Sequence, residues 1–172
     1  MADNPDELFD VVDEEDRVIG VARRGEVHAR KLRHRAVHIL VQSPEGDIFL
    51  QKRSMQKDSQ PGKWDSSASG HLDSGESYEV AAVRELGEEL GIFNVGVEEI
   101  GSLPAGEVTG MEFVRIYRAS HEGPFVLHPE EIEDGRWASV PELLEWIESR
   151  PQEFAPCFIA VWKAVEVRFL RD

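Results

Sequence analysis

The stretch "GHLDSGESYEVAAVRELGEELGI", residues 70–92, decides the fold. Its apolar residues recur at helical spacing, which predicts a helix over residues 77–90 that ends at Gly91. Three acids, Glu85, Glu88 and Glu89, crowd the end of this helix beside Arg84. The spacing places these acids together on one face. The opposite face is then predicted to be the buried one, and it carries Val80, Val83, Leu86 and Leu90.

The crowded carboxylates need a physical explanation. Acids near a helix C-terminus are disfavoured by the helix dipole, and like charges one turn apart repel. At about 4 Å and an effective dielectric near 20, each pair of carboxylates repels by roughly 4 kcal/mol. A solvated acidic surface is the ordinary interpretation of such a run. A hard divalent cation held by carboxylate oxygens removes the repulsion, so the pattern favours a magnesium or manganese site.

The wider spacing resembles the Nudix box at each of its defined positions, which are Gly70, Glu76, Arg84-Glu85-Leu86, Glu88-Glu89 and Gly91-Ile92. The resemblance implies an α/β fold, a Nudix-type α/β/α sandwich around a mixed β-sheet, with the box as loop, helix and loop. It also implies hydrolysis of a nucleoside diphosphate linked to another moiety, with Mg²⁺ or Mn²⁺ as the cofactor.

The resemblance also implies a role for each box residue. Arg84 would hold a box glutamate in orientation, either Glu76 or Glu88. Glu88 or Glu89 would accept the proton of the attacking water, although some members of the family supply this base from outside the box. The metal ligands carried over are Glu85, Glu88, Glu89 and the Gly70 carbonyl.

Much of residues 8–147 further resembles the branch related to isopentenyl-diphosphate isomerase, which implies a rival reaction, the migration of an allylic double bond. Three departures weigh against it. Ser69 stands where those enzymes carry a catalytic cysteine, and Gly110 replaces one acid of a pair whose other member is Glu112. The box here is also complete, whereas isomerases usually lack the carboxylates at positions 85 and 88.

Histidines and basic residues supply further candidates. His34 and His71 fall where the isomerase branch has metal-binding imidazoles, and His28 lies near a third such position, although a lone histidine is more often structural. The predicted substrate contacts are Arg53, Lys52, Arg35 and His71, since "LQKRS" and "LRHR" lie near the box in the predicted fold. Each basic residue has the alternative of a plain surface charge.

Two further interpretations stay open. Trp64 could stack on a base, but a tryptophan in a strand usually packs in the core. Some Nudix enzymes take an extra catalytic acid from a late loop, where this chain has Glu130, Glu131 and Glu133. A solvated loop is the simpler interpretation of those three acids.

The rest of the chain predicts one domain over residues 1–172, with residues 1–7 as a flexible tail. Alternating runs predict two hairpins, the first over residues 8–22 and the second over "AVHILVQSPEGDIFLQKR". Further strands are expected in "KWDSSASGH", "VGVEEIGSL", "MEFVRIYRAS" and "DGRWASV". Helices are expected in "PELLEWIES" and "FAPCFIAVWKAVEVRFL".

Composition limits the function classes. The chain has 172 residues and a net charge of −15, from 34 acids and 19 bases, which disfavours binding to nucleic acid polymers or anionic lipid. It lacks an apolar run long enough for a membrane span, and its first residues do not resemble a secretory signal. The single cysteine, Cys157, is predicted to be an inert core thiol in a reducing compartment, so a cytoplasmic location is expected.

The sequence therefore predicts a divalent-metal-dependent pyrophosphohydrolase of nucleoside di- or triphosphates or related nucleoside diphosphate derivatives, with a small nucleotide as its partner. An isomerase-like enzyme and a Nudix domain that binds nucleotide without cleaving it are the alternatives. The base and sugar of the substrate, the number of metals and the oligomeric state are left open.

Overall fold

A mixed seven-stranded sheet lies at the centre of the computed structural model, which describes residues 3–170. In chain order the strands are β1 (Leu8–Val12), β2 (Val18–Arg23), β3 (His34–Gln42), β4 (Ile48–Arg53), β5 (Trp64–Asp65), β6 (Ala68–His71), β7 (Glu98–Leu103), β8 (Glu112–Ser120) and β9 (Ile132–Ala138). The helices are α1 (Arg24–Ala29), α2 (Tyr78–Leu90), α3 (Val140–Ser149) and α4 (Pro156–Val165). Single 3₁₀ turns occur at Pro151–Glu153 and Glu166–Arg168.

The strand order of the sheet is β5-β4-β3-β8-β7, with β6 also paired to β3 and β9 to β4. Among the strand pairs within residues 3–170, β3 and β8 are the parallel one, and their register places His34 opposite Glu112. The run Val37–Val41 in β3 is buried on both faces, as expected for a central strand covered by helices. Strands β1 and β2 form the predicted first hairpin as a separate two-stranded sheet.

Helices cover both faces of the sheet. On one face α2 packs Leu86 and Leu90 against β3 residues such as Ile39. On the other face α3 and α4 pack against the opposite side chains of β3 and β4, with Phe158 and Trp162 of α4 fully buried. The predicted α/β/α sandwich with a mixed sheet is therefore confirmed. None of the helices within residues 3–170 combines the length and apolar character needed to cross a bilayer.

Helix α2 begins and ends where the sequence predicted. The Ser77 side chain caps its start by accepting a hydrogen bond from the Val80 amide, and Gly91 ends it in the left-handed conformation with φ of 68°. The predicted buried face is only half right. Leu86 and Leu90 are fully buried, whereas Val80 is 58% exposed and Val83 is 40% exposed.

The buried face of α2 instead runs through two alanines and two of the box acids. Ala81 and Ala82 are fully buried against the sheet, and Glu85 and Glu89 are only 8% and 4% exposed. Small alanines let the helix approach the sheet closely, which turns the flank that carries the acids inwards. Of the three clustered glutamates only Glu88 faces solvent, so the prediction that all three lie opposite the buried side of α2 is wrong for Glu85 and Glu89.

The N-terminal part of the chain differs from the sequence prediction in two ways. The short helix α1, which connects β2 to the segment before β3, was not predicted. Of the segment predicted to be a flexible tail, residues 1–2 lie outside the described part of the chain. Asp3 forms ion pairs with Arg24 at 2.9 Å and with Lys57 at 2.9 Å. The first described residue is therefore attached to two distant parts of the fold.

Candidate active site

A single large cavity, with a volume of about 1140 Å³, brings the box residues together. Strands β3, β6 and β8, helix α2 and the start of α4 all contribute to its wall. Residues of the box in the wall are Gly70, His71, Arg84, Glu85, Glu88 and Glu89. The sheet thus places the loop before α2 and the last turns of that helix around one space.

Arg84 organises the acids of the box. Its Nε and Nη2 donate to the two carboxylate oxygens of Glu76 at 2.8 and 2.9 Å, which makes a bidentate pair. Nη1 donates to Glu85 at 2.8 Å and to Glu88 at 3.2 Å. Nη2 also donates to the His71 carbonyl oxygen at 2.9 Å. The sequence left Glu76 and Glu88 open as partners of Arg84, and both are bound.

Glu85 lies against the backbone of Gly70. A methyl group placed on Gly70 would stand 2.1 Å from Glu85 Oε1, far inside contact distance. Burial, followed by the nearby charge of Glu89, raises the pKa of Glu85 well above its ordinary value. A carboxylate is therefore held against the backbone of Gly70 in a place where its charge is costly.

Glu89 is the second buried box acid. Its Oε1 accepts from the Ser69 amide at 2.8 Å, and its Oε2 accepts from Gln51 Nε2 at 2.9 Å. Burial raises the pKa of Glu89 to about 7 despite these hydrogen bonds. Gln51 was not predicted as a site residue, because nothing local in β4 marks it. Its fully buried amide was visible only in the fold.

The donor set of the box fits a hard divalent cation. Glu85, Glu88 and Glu89 offer carboxylate oxygens at the cavity wall, which Gly70 also lines, and oxygen ligands are the type that Mg²⁺ and Mn²⁺ prefer. A cation would also offset the cost that raises the pKa of the two buried acids. The residues present therefore fit the metal that the sequence predicted.

Three histidines gather beside the box, and two of them, His28 and His71, line the cavity. His28, His34 and His71 each place a ring nitrogen within 4.8 Å of the other two. His71 Nε2 lies 2.8 Å from Glu112 Oε1, and His34 Nε2 lies 3.6 Å from the same oxygen. Burial and the neighbouring imidazoles lower the pKa of His28 to about 4. A cluster of three imidazoles is suited to hold a transition metal.

The isomerase-type positions Ser69 and Gly110 also line the cavity. Ser69 is the cross-strand partner of His38. Gly110 lies in the turn that precedes β8, and its φ of 66° is in the left-handed region, as is that of Met111. The carboxylate of Glu112 is therefore not accompanied by a second acid at position 110.

The predicted substrate contacts separate into two groups. Arg53 and His71 line the cavity, whereas Lys52 and Arg35 do not. Arg53 donates to the Ser59 carbonyl and to Asp65, and Arg35 is paired with Asp16 at 2.7 Å. Lys52 points towards Glu133 at 3.9 Å. Two of the four predicted contacts are thus brought to the site.

Three cationic residues of the cavity, Arg24, Lys31 and Lys57, were missed by the sequence analysis. Arg24 and Lys57 both line it, and both are paired with Asp3. Lys57 also donates to Glu131 at 2.6 Å. Of the late-loop acids, Glu131 therefore reaches the cavity. Arg24 and Lys57 come from separate segments without a recognisable spacing, so no sequence signal identified them.

The structure also shows where Trp64 and Cys157 lie. Trp64 packs edge-on against Trp146 beside the core, as expected for a strand tryptophan. Cys157 was predicted to be an inert core thiol, and it packs against the edge of the core instead of lying within it. It is half-buried, lines the cavity and has its Sγ 3.7 Å from His38 Nε2. The buried face of α4 begins at Phe158, so the preceding residue turns towards the cavity.

Comparisons with known proteins agree on one family. Residues 32–158 match the family model described as NUDIX domain. An uncharacterised Nudix hydrolase of Yersinia pestis is 41% identical over 150 residues, which cover 87% of this chain and 80% of that protein. The isopentenyl-diphosphate Delta-isomerase of Serratia proteamaculans is 31% identical over 163 residues, which cover 92% of this chain and 90% of that enzyme.

A solved structure is similar to this chain in fold. The crystal structure of DR0079 from Deinococcus radiodurans superposes with a TM-score of 0.75 at 28% identity, covering 84% of this chain and 90% of that one. The family match spans most of the chain and includes the box on α2, whose acids line the cavity. This chain therefore belongs to the Nudix hydrolase family.

Proposed function

We propose that this protein is a Mg²⁺- or Mn²⁺-dependent pyrophosphohydrolase of nucleoside di- or triphosphates or related nucleoside diphosphate derivatives. The observation that carries the proposal is the burial of Glu85 and Glu89 beside Gly70 in the cavity wall, with raised pKa values. Two buried carboxylates destabilise the fold, and a cation bound between them in a hydrolase would offset that cost. Simple nucleotide binding would not require all three glutamates.

Each residue of the box has a distinct part in this proposal. Glu85, Glu88, Glu89 and the Gly70 carbonyl hold the cation, which would neutralise the pyrophosphate and lower the pKa of the attacking water. Arg84 fixes the orientation of Glu85 and Glu88 through its guanidinium. Whichever of Glu88 and Glu89 is not engaged by the cation would accept the proton of the attacking water.

The volume and the cationic lining of the cavity support the proposal that it binds an anionic ligand of nucleotide size. Its volume of about 1140 Å³ slightly exceeds the range of about 300–1,000 Å³ usual for small-molecule pockets. Arg53 and His71 line it and are proposed as phosphate contacts, together with Arg24 and Lys57. A corresponding role for Lys52 and Arg35 lacks this support, because neither side chain reaches the cavity wall.

A substrate panel tests the proposal. The purified protein is incubated with nucleoside di- and triphosphates and nucleoside diphosphate derivatives, with and without Mg²⁺ or Mn²⁺, and the released phosphate products are measured. We expect metal-dependent cleavage of at least one compound. We also expect Glu89→Gln to lower kcat by about a hundredfold or more while the protein stays folded. Normal turnover by this variant would remove Glu89 from the mechanism.

A second candidate function is the isomerase reaction, and one observation specifically favours it. His28, His34, His71 and Glu112 are gathered at the positions that the isomerase resemblance singled out. Ser69 and Gly110 speak against it, since neither supplies the expected thiol or carboxylate. Including isopentenyl diphosphate in the panel separates the two reactions by product. A shift in melting temperature without any turnover would instead indicate a domain that only binds nucleotide.

A further inference from the structure

A second group of metal-type donors lies in the same cavity, apart from the acids of the box. It consists of His38 from β3, Glu112 from the start of β8 and Cys157 from the first turn of α4. One ligand atom of each residue lies within 4.8 Å of those of the other two. His38 and Glu112 are 74 positions apart in the sequence, and Glu112 and Cys157 are 45 positions apart, so only the folded chain brings the three together.

The spacing of sulfur and nitrogen matches that of two ligands of one ion. Zinc bonds of about 2.3 Å to sulfur and about 2.1 Å to nitrogen, at a tetrahedral angle, separate the two ligand atoms by about 3.6 Å. Cys157 Sγ and His38 Nε2 are 3.7 Å apart. A thiol and an imidazole at this distance can bind a single cation without movement of the backbone.

The imidazole of His38 is held in the orientation that such a site requires. Its other nitrogen, Nδ1, lies 2.7 Å from Ser66 Oγ and 3.7 Å from Asp65 Oδ1. His38, Ser66 and Asp65 are all buried, so this arrangement is fixed by packing. Metal-binding histidines commonly have such a hydroxyl, carboxylate or carbonyl partner on the nitrogen that faces away from the ion.

A buried nitrogen near Glu112 also lacks a partner. His34 Nε2 has no hydrogen bond to any residue within 3–170, although the side chain is only 1% exposed. Its nearest carboxylate atom, Glu112 Oε1, lies 3.6 Å away. An unpaired buried polar atom carries a desolvation cost of about 1–3 kcal/mol. This nitrogen belongs to the three-histidine cluster, which lies beside Glu112, and His34 is not one of the ligands of the second group.

We propose that Cys157, His38 and Glu112 bind a zinc-class divalent cation, with the remaining coordination position open to the cavity. Sulfur and imidazole ligands select zinc-class ions over Mg²⁺, which prefers oxygen ligands only. Binding converts the Cys157 thiol to a thiolate and releases its proton to solvent. Three protein ligands with one open position are typical of zinc sites that bind water or a substrate oxygen.

Cobalt provides a direct test, because thiolate ligation of Co²⁺ gives a near-ultraviolet charge-transfer band. Cys157 is the only cysteine of the chain, so any such band must come from it. The chelator-treated, reduced protein is titrated with Co²⁺ and its absorbance recorded. We expect the band to rise to saturation, to be displaced by Zn²⁺, to disappear in Cys157→Ser and to weaken in His38→Gln.

Two control variants separate this site from its surroundings. Glu88→Gln alters the box and should keep the band even though hydrolysis is lost, so failure of the hydrolase proposal and failure of this one give different results. His121→Gln changes a histidine that does not line the cavity and should also keep the band. A second readout uses the wild-type protein alone. Zn²⁺ is expected to slow alkylation of Cys157 at least about tenfold, because a bound thiolate is shielded.

The proposal is overturned if wild-type protein binds Co²⁺ without the thiolate band. That result would assign the ion to imidazoles and carboxylates alone. Equal alkylation rates with and without Zn²⁺ would overturn it as well. If His38→Gln does not fold, the titration and the alkylation of wild-type protein still decide the question.

Discussion

The carboxylate of Glu85 occupies the space that a side chain at position 70 would fill. A Cβ at position 70 would stand 2.1 Å from Glu85 Oε1, so Gly70→Ala forces that carboxylate away from the proposed ligand position. We expect the concentration of Mg²⁺ needed for half-maximal activity to rise by about tenfold or more, with little change in stability. Activity titrations with Mg²⁺ and a thermal melt measure the two effects.

Gly20→Ala is the matched control for this substitution. Gly20 lies in β2, and a Cβ there would meet no atom within 4 Å. The control should keep both its melting temperature and its Mg²⁺ dependence. An unchanged Mg²⁺ dependence in Gly70→Ala would show that Glu85 tolerates displacement and does not need this position.

Glu89 makes the metal-free protein sensitive to pH. Its pKa is raised to about 7 in the folded protein by burial, against an ordinary value of 4.5. The unfolded state therefore loses this proton first, and the folded state is destabilised as the pH rises from about 4.5 to about 7. The full effect is about 3 kcal/mol in the free energy of unfolding.

The measurement compares wild type with Glu89→Gln by denaturant unfolding in chelator at several pH values. The variant cannot ionise at this position, so its stability relative to wild type should increase between pH 5 and about pH 8. Added Mg²⁺ should restore the stability of wild type more than that of the variant. A difference that stays constant with pH would mean that Glu89 does not titrate in this range.

Helix α2 shows that the apolar residues of a helix are not all buried. Val80 is 58% exposed, whereas Leu86 is fully buried against the sheet. We expect Leu86→Ala to lower the free energy of unfolding by about 2–5 kcal/mol. Val80→Ala should change it by no more than about 0.5 kcal/mol. Chemical denaturation measures the free energy of unfolding of both variants. A similar loss in the two would contradict the observed orientation of α2.

The limits of the sequence prediction follow from the same helix. Ser77 and Gly91 mark its ends through local backbone chemistry, so its length could be predicted. Which side faces the sheet depends on residues far along the chain, and Val80 and Val83 therefore misled the assignment. Helix α1 is only six residues long, too short for a periodic pattern to stand out.

Some residues of the candidate site could be predicted from the sequence, and others could not, for the same reason. The box acids and Arg84 follow a fixed spacing on one helix, so the sequence alone placed them together. Gln51 and Lys57 reach the cavity from separate segments, and only the sheet order brings them to it. The position of Cys157 likewise depends on which face of α4 packs into the core.

Asp3 connects the start of the described chain to residues that line the cavity. Its carboxylate pairs with Arg24 and Lys57, whose side chains are both largely buried. The ion pairs and a hydrogen bond from the Asp58 amide lower its pKa, although burial alone would raise it. We expect Asp3→Asn to reduce the free energy of unfolding by about 1–3 kcal/mol, because two buried cations lose an anionic partner.

Asp6→Asn serves as the comparison. Asp6 pairs with Arg23 at 3.4 Å, and both side chains are about 70% exposed, so little loss is expected. Urea unfolding at neutral pH measures both variants. If Asp3→Asn were as stable as Asp6→Asn, the segment before β1 would contribute nothing to the fold.

The left-handed turn before β8 has an evolutionary consequence. Gly110 and Met111 both have φ of 66°, and an acidic side chain at position 110 would have to adopt a conformation that costs about 1–2 kcal/mol. A descendant of this chain could therefore not acquire the second carboxylate of an isomerase by one substitution at neutral cost. Only a different path of loop 104–111 would remove this cost, so the backbone here disfavours that change of reaction.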